Sequence, residues 1–250
     1  MTARMLALDV RRGPALVLGI ALLGLGAALL LSGSTQCDGR WAGAVLALRN
    51  EAWLLVPCVL AAGVWRGGSP RRRHVDETIG ASAAPRWRRA AIEGGSLALA
   101  GSAVFVVLLA LLTVSGGCTA AVVDDRSLAA ALAGVVSVPA AAFAGLAIGR
   151  LATTPMAAPL TLFAALAVTA VVGAGWSSDS GGALLVLPAL GEDLGIGQLA
   201  TTTSVAQLIW FVGLAVSGWL LASRSPARLP ILGLAPAAAG LAAVAALAPG

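Results

Sequence analysis

Residues Trp65 to Gly95 read WRGGSPRRRHVDETIGASAAPRWRRAAIEGG. Seven of the sixteen arginines of the chain fall in this stretch, and apolar runs flank it on both sides. Moving arginine across a bilayer is unfavourable, so a basic cluster beside apolar runs stays on the cytoplasmic side. The stretch therefore orients every apolar run around it. It is also the largest cytoplasmic surface in the sequence, and hence the expected docking surface for a soluble partner.

Working outward, 59% of the 250 residues are hydrophobic and only 11% are charged. Mean hydropathy is +0.94. A soluble domain carries about 25% charged residues, enough to cover its surface in water. A chain this poor in charge needs a bilayer for a solvent. The expected fold is all-α, a polytopic integral membrane helical bundle with six core transmembrane helices and a seventh. At about 20 residues per span, the length leaves no room for a second, soluble ATPase or kinase domain. The net charge is +5 and all the basic residues are arginine. They cluster at the ends of apolar runs, so they read as topology anchors. The bilayer, and not nucleic acid, is the expected partner.

Residues 1–13 (MTARMLALDVRRG) alternate arginines with Met5, Leu6, Leu8 and Val10, the pattern of an amphipathic segment lying at the inner interface. The transmembrane domain then occupies 14–250. Its spans are expected at about 14–31, 52–66, 95–114, 127–149, 156–172, 203–221 and 229–247, with the cytoplasmic loop at 66–93. Pro14 suits the first position of a helix, where its missing N–H is no loss. The first apolar run is longer than the ~7–15 residues of a signal-peptide core, and further spans follow it, so it reads as a retained helix. The second span is short for ~30 Å of hydrocarbon. It is expected to run on into Gly67-Gly68 or back past Glu51. Residues 41–48 before it read as an outer interfacial piece. Arg4, Arg11, Arg12, the seven loop arginines, Arg150, Arg224 and Arg228 fall inside on this topology. Arg40, Arg49 and Arg126 fall outside. That asymmetry places the N-terminus in the cytoplasm and the protein in the cell membrane. Gly19, Gly24, Gly26, Gly134, Gly145, Gly213 and Gly218 allow close helix approach, or reflect compositional bias.

The chain has no Walker A sequence, no Ser/His or Cys/His constellation and no zinc-protease spacing, and its single histidine is His74. No catalytic, metal or cofactor residue is expected, and the chain does not read as an enzyme. Asp124-Asp125 and Glu192-Asp193 read as solvated outer acids. No expected span holds a charged residue near its middle, which weighs against a proton- or ion-coupled carrier. Backbone carbonyls at broken helices keep a secondary carrier open as an alternative. Gln207 is a candidate interhelical hydrogen-bonder. Cys37 and Cys118 fall in outer loops, where a disulfide between them is possible, whereas Cys58 lies in the second span.

Within the basic loop, Asp76-Glu77-Thr78-Ile79 is followed by Pro85-Arg86-Trp87-Arg88-Arg89. This resembles the cytoplasmic loop of type-2 ABC exporter permeases. The basic N-terminal segment, the Gly149-Arg150 turn and the long loop before the sixth span are similar as well, so the resemblance covers roughly residues 1–223. It implies a permease subunit that pairs with a second permease chain, homo- or heterodimeric, and with cytosolic ABC ATPase subunits. It further implies that Glu77, Ile79, Pro85, Trp87 and Arg88 dock the ATPase. The chain departs from the pattern at Gly80, where an apolar residue is expected, and in the extra span after Arg228. The alternative from a different class is a non-transporting membrane scaffold or assembly protein.

Overall fold

The computed structural model describes residues 9, 14–32, 41–72, 85–115, 124–152, 154–175, 201–223 and 231–247. Among these the chain is helical and has no strand. The long helices are α1 (Pro14–Ser32), α2 (Trp41–Gly67), α3 (Arg86–Ser115), α4 (Asp125–Leu151), α5 (Ala157–Gly175), α6 (Thr201–Ser223) and α7 (Ile231–Leu247). A single helical turn, Ser69–Arg72, follows α2. Four of the helices, α2, α3, α4 and α6, are long and apolar enough to cross a membrane. The apolar stretches of the other three are shorter: Ala15–Leu29, Ala157–Val171 and Gly233–Ala242. The outward faces carry Val17, Val114, Phe163 and Val171 exposed. Apolar cladding of this extent suits lipid and not water. The chain is a multi-pass helical membrane protein.

α4 is the central helix. It packs most extensively on α6 and α2 and also on α3, while α1 lies on α3 and α2, α5 on α2, and α7 on α6. Its sequence allows this, because the buried positions are mostly alanine and glycine. A Cβ on Gly63 would lie 2.7 Å from the Ala142 carbonyl oxygen, and Gly145 and Gly149 stand directly against the carbonyls of Leu60 and Val64. Gly63-x-x-x-Gly67 on α2 and Gly145-x-x-x-Gly149 on α4 thus face each other. Small residues spaced by four leave a flat stripe on which two backbones can meet. On the other flanks, Gly134 receives the Phe105 ring from α3, and Gly218 on α6 meets the backbone of Phe143 and Ala144.

These contacts also fix the directions. Val45 packs with Ala130 and Ala131, and Gly63 lies beside Gly145, so α2 and α4 run the same way. Gly94, Gly101 and Phe105 on α3 meet Phe143, Val138 and Gly134 in reverse order, so α3 is antiparallel to α4. The ends of α2, α4 and α6 and the start of α3 gather at one end of the bundle. That end carries Arg66, Arg86, Arg88, Arg89 and Arg150, and is called the basic end below.

Two expected boundaries change. α2 begins at Trp41 and not near Ala52, so residues 41–48 are its first turns and Arg49 and Glu51 lie within it. A 27-residue helix is about 40 Å long, which exceeds the hydrocarbon thickness at which the shorter expected span fell short. α3 begins at Arg86, so the last eight residues of the expected loop are helical. The Pro85 carbonyl accepts from the Arg88 and Arg89 N–H groups at 3.0 and 3.3 Å and starts the helix.

Candidate functional site

Polar side chains concentrate in two places. The first is the basic end. The Arg66 guanidinium, in the last turn of α2, donates to Ser96 Oγ on α3 at 2.8 Å and pairs with the Asp9 carboxylate. Ser96 in turn donates to the Glu93 carbonyl at 3.1 Å. The Glu93 carboxylate pairs with Arg150 of α4 at 2.5 Å, and the other Arg150 nitrogen donates to the Ala222 carbonyl at the end of α6. A cation at a helix C-terminus is favoured by the carbonyl dipoles gathered there. Trp219 Nε1 donates to the Trp87 carbonyl at 3.2 Å, a second tie between α6 and the first turn of α3. Ala90, Leu146, Ala147 and Ala222 pack into a small apolar cluster behind these bonds. The side chains of Arg150 and Glu93 are 23% and 27% exposed. Water reaches them, which moderates the strength of the pair.

The second place lies inside the bundle. Arg49, on α2, is fully buried, and its Nη2 donates to Gln207 Oε1 on α6 at 2.9 Å. It stands about 12 Å along the helix from Trp41. By the α2–α4 register, Ala130 to Gly134 of α4 lie at the same level. α2 and α6 both pack along α4 and scarcely touch each other, so the arginine side chain spans the gap between them. Ser204, one turn before Gln207, is buried, as is part of Trp210, one turn after it. The Ser204 hydroxyl, the Trp210 indole N–H and the Asn50 Oδ1 are buried without a hydrogen-bond partner among the described residues.

This arrangement corrects the sequence reading, which put Arg49 in an outer loop and found no charge within a span. The signal was present in the shortness of the second span, which required helix beyond Glu51. The expected role of Gln207 as an interhelical hydrogen-bonder matches its bond to Arg49. Glu93, expected in the loop, is an ion-pair partner on α3.

Of the residues expected to dock an ATPase, Pro85, Trp87 and Arg88 sit together at the start of α3. Trp87 is 55% exposed. Glu77 and Ile79 lie outside the described residues, as do Cys37 and Cys118. Cys58 is a free thiol on α2, half-buried. Asp124, expected as a solvated acid, is exposed and also caps α4, accepting from the Ser127 N–H at 3.2 Å and from its hydroxyl. The hydroxyl bond holds the Asp124 carboxyl below the ordinary range. Among the described residues no cluster of three or more His, Cys, Asp or Glu side chains could hold a metal ion. In comparison with known proteins, the chain matches no family model, no curated sequence and no solved structure.

Proposed function

We propose that the chain is the membrane-spanning permease subunit of an ATP-driven exporter, energised by a separate cytosolic ATP-binding-cassette subunit and paired with a second permease chain. On this reading α1, α5 and α7 also span the membrane, giving six core helices and a seventh, and the basic end and the N-terminus face the cytoplasm of a cell-membrane protein. Among the described residues only Arg126 and the buried Arg49 lie in the half of the bundle away from the basic end, and the cytoplasmic side is where basic residues are retained.

One observation supports the coupling role most directly. The two flanks of the basic segment are tied to the rest of the bundle through Arg66–Ser96, Glu93–Arg150–Ala222 and Trp219–Trp87. A displacement of the segment by a partner would therefore reach α2, α4 and α6 together. A docking segment without such ties would move alone. The exposed Trp87 beside Arg88 offers the aromatic anchor and charge that interfaces favour.

The test is co-purification with an ATP-binding-cassette ATPase, with Glu77→Arg and Trp87→Ala as variants. Charge reversal at Glu77 is expected to abolish ATPase association while membrane insertion continues, because insertion depends on the arginines. Normal association and transport in both variants would leave the loop as an anchor only. A secondary carrier is the second reading, and the buried Arg49 favours it, since ionisable residues inside membrane bundles commonly line transport paths. Transport driven by an ion gradient in vesicles without any ATPase would select it.

A further inference from the structure

We propose that the foot of α3 at the basic end, with Arg88 at its centre and Arg86 beside it, binds the headgroup of an anionic phospholipid whose chains lie along the outward face of the same helix. The charge balance of this end is the first reason. The carboxylates described here are Asp9 and Glu93, and both are taken by arginines that tie helices together, Asp9 by Arg66 and Glu93 by Arg150. Arg86 is exposed and Arg88 is half-buried. Among the described residues neither guanidinium has a hydrogen-bond or ion-pair partner. The turn that carries them is held in place. The Pro85 carbonyl accepts from the Arg88 and Arg89 N–H groups, and the Trp87 carbonyl accepts from Trp219 Nε1 at 3.2 Å. Two positive charges are therefore presented from a fixed turn, and an anion from outside the bundle is the complement they lack.

The phase of the helix sets the kind of anion. Residues eleven or eighteen positions apart on an α-helix share one line to within about 20°, so Leu99 and Val106 lie on the line of Arg88. Each is 52% exposed. Trp87 lies instead on the line of Gly94 and Phe105, which meet Phe143 and Gly134 of α4. The first turn thus divides its side chains: Trp87 stands over the stripe that faces α4, and Arg88 over the stripe that faces lipid. Arg88 precedes Gly95, where the apolar run begins, by about 10 Å along the helix. Its long side chain reaches the headgroup layer, which adds about 5–8 Å on each side of the hydrocarbon. A guanidinium fork matches phosphate oxygens, and arginines beside a membrane helix attract anionic headgroups. Leu99 and Val106 supply an apolar track for the chains, which a soluble anion would not use. The proposal does not rest on the exporter reading, because binding can be measured without an ATPase.

The full chain in dodecyl maltoside micelles is titrated with dioctanoyl phosphatidylglycerol, with dioctanoyl phosphatidylcholine and with glycerol phosphate, and the thermal unfolding midpoint is followed. Saturable stabilisation by phosphatidylglycerol alone is expected, weakening as salt is added. Arg88→Gln should weaken the binding about fivefold, and Arg86→Gln with Arg88→Gln about twenty-five-fold. Arg126→Gln is the control, since Arg126 is also an exposed arginine in the first turn of a long helix but lies at the opposite end. It should bind with wild-type affinity. Equal stabilisation by phosphatidylcholine overturns the proposal, because the charge would then play no part. Equal stabilisation by glycerol phosphate overturns it in favour of a soluble anion. Wild-type affinity in Arg88→Gln, or as large a loss in Arg126→Gln, overturns it in favour of net charge. Arg86→Gln alone, at an exposed position, decides should Arg88→Gln fail to fold: a loss of affinity supports the site, and none overturns it.

Discussion

Arg49 brings a charge into the interior of the bundle, and Gln207 meets it with a carbonyl oxygen at 2.9 Å. Hydrogen bonds between membrane helices average about 0.6 kcal/mol and reach about 1.7 kcal/mol. A charge-assisted bond belongs at the upper end. A double-mutant cycle with Arg49→Met and Gln207→Leu, read by unfolding in detergent, should give a coupling of about 1.5 kcal/mol; a coupling near zero would mean that the two side chains do not support each other. At the rim, Asp124 acts by another route. Its carboxyl is held low chiefly by the Ser127 hydroxyl. A carboxyl whose folded pKa is depressed contributes stability above its unfolded pKa and loses it as pH falls through the folded value. The advantage of the wild-type protein over Asp124→Asn should therefore be full at neutral pH and vanish on acidification below the ordinary carboxylate range of about 4. Unfolding midpoints of the two proteins across that range check it, and a constant difference would count against the charge as the cause.

At the scale of the element, the glycines divide into those that the packing needs and those that it does not. Gly145 stands against the Leu60 carbonyl, whereas a Cβ on Gly24 meets nothing within 4 Å. Gly145→Ala should destabilise by about 1–3 kcal/mol, the usual cost of overpacking. Gly24→Ala should be neutral or stabilise by up to about 1 kcal/mol through helix propensity. The same unfolding assay applies to both, and equal effects would reduce the glycines to compositional bias. The sequence could place the helices, because apolar runs between arginine clusters leave few alternatives. It could also name Gly134, Gly145, Gly213 and Gly218 as small-residue positions. It could not pair them, since which stripe meets which depends on bundle geometry. The facing pairs Gly63/Gly67 and Gly145/Gly149 emerge only when α2 and α4 are side by side. The start of α2 was misplaced for a related reason. Charge was taken to end a span, and a partner 158 residues away in sequence allowed Arg49 to remain inside.

For the whole molecule, the consequential feature is that the ties between elements at the basic end are polar, while the packing of the interior is mainly apolar. Apolar stripes hold helices together without sharp preference for one arrangement, whereas an ion pair is either made or broken. The Glu93–Arg150 pair joins α3 to α4, and Arg150 extends the tie to α6. If it latches this end, breaking it should expose Ala90, which is buried just behind it with Ala222 and Leu146. Partial exposure limits the pair to about 1 kcal/mol, so the opening should become a few-fold more populated and not complete. Ala90→Cys provides the reporter, with its labelling rate by a polar maleimide measured in vesicles open to reagent on both sides. Glu93→Arg should raise that rate about fivefold. Adding Arg150→Glu restores an ion pair of reversed sense and should bring the rate most of the way back. The recovery is incomplete because a glutamate cannot donate to the Ala222 carbonyl, and Arg150→Glu alone should match or exceed Glu93→Arg for the same reason. Failure of the reversed pair to slow labelling would assign the closure of this end to the apolar cluster and not to the latch.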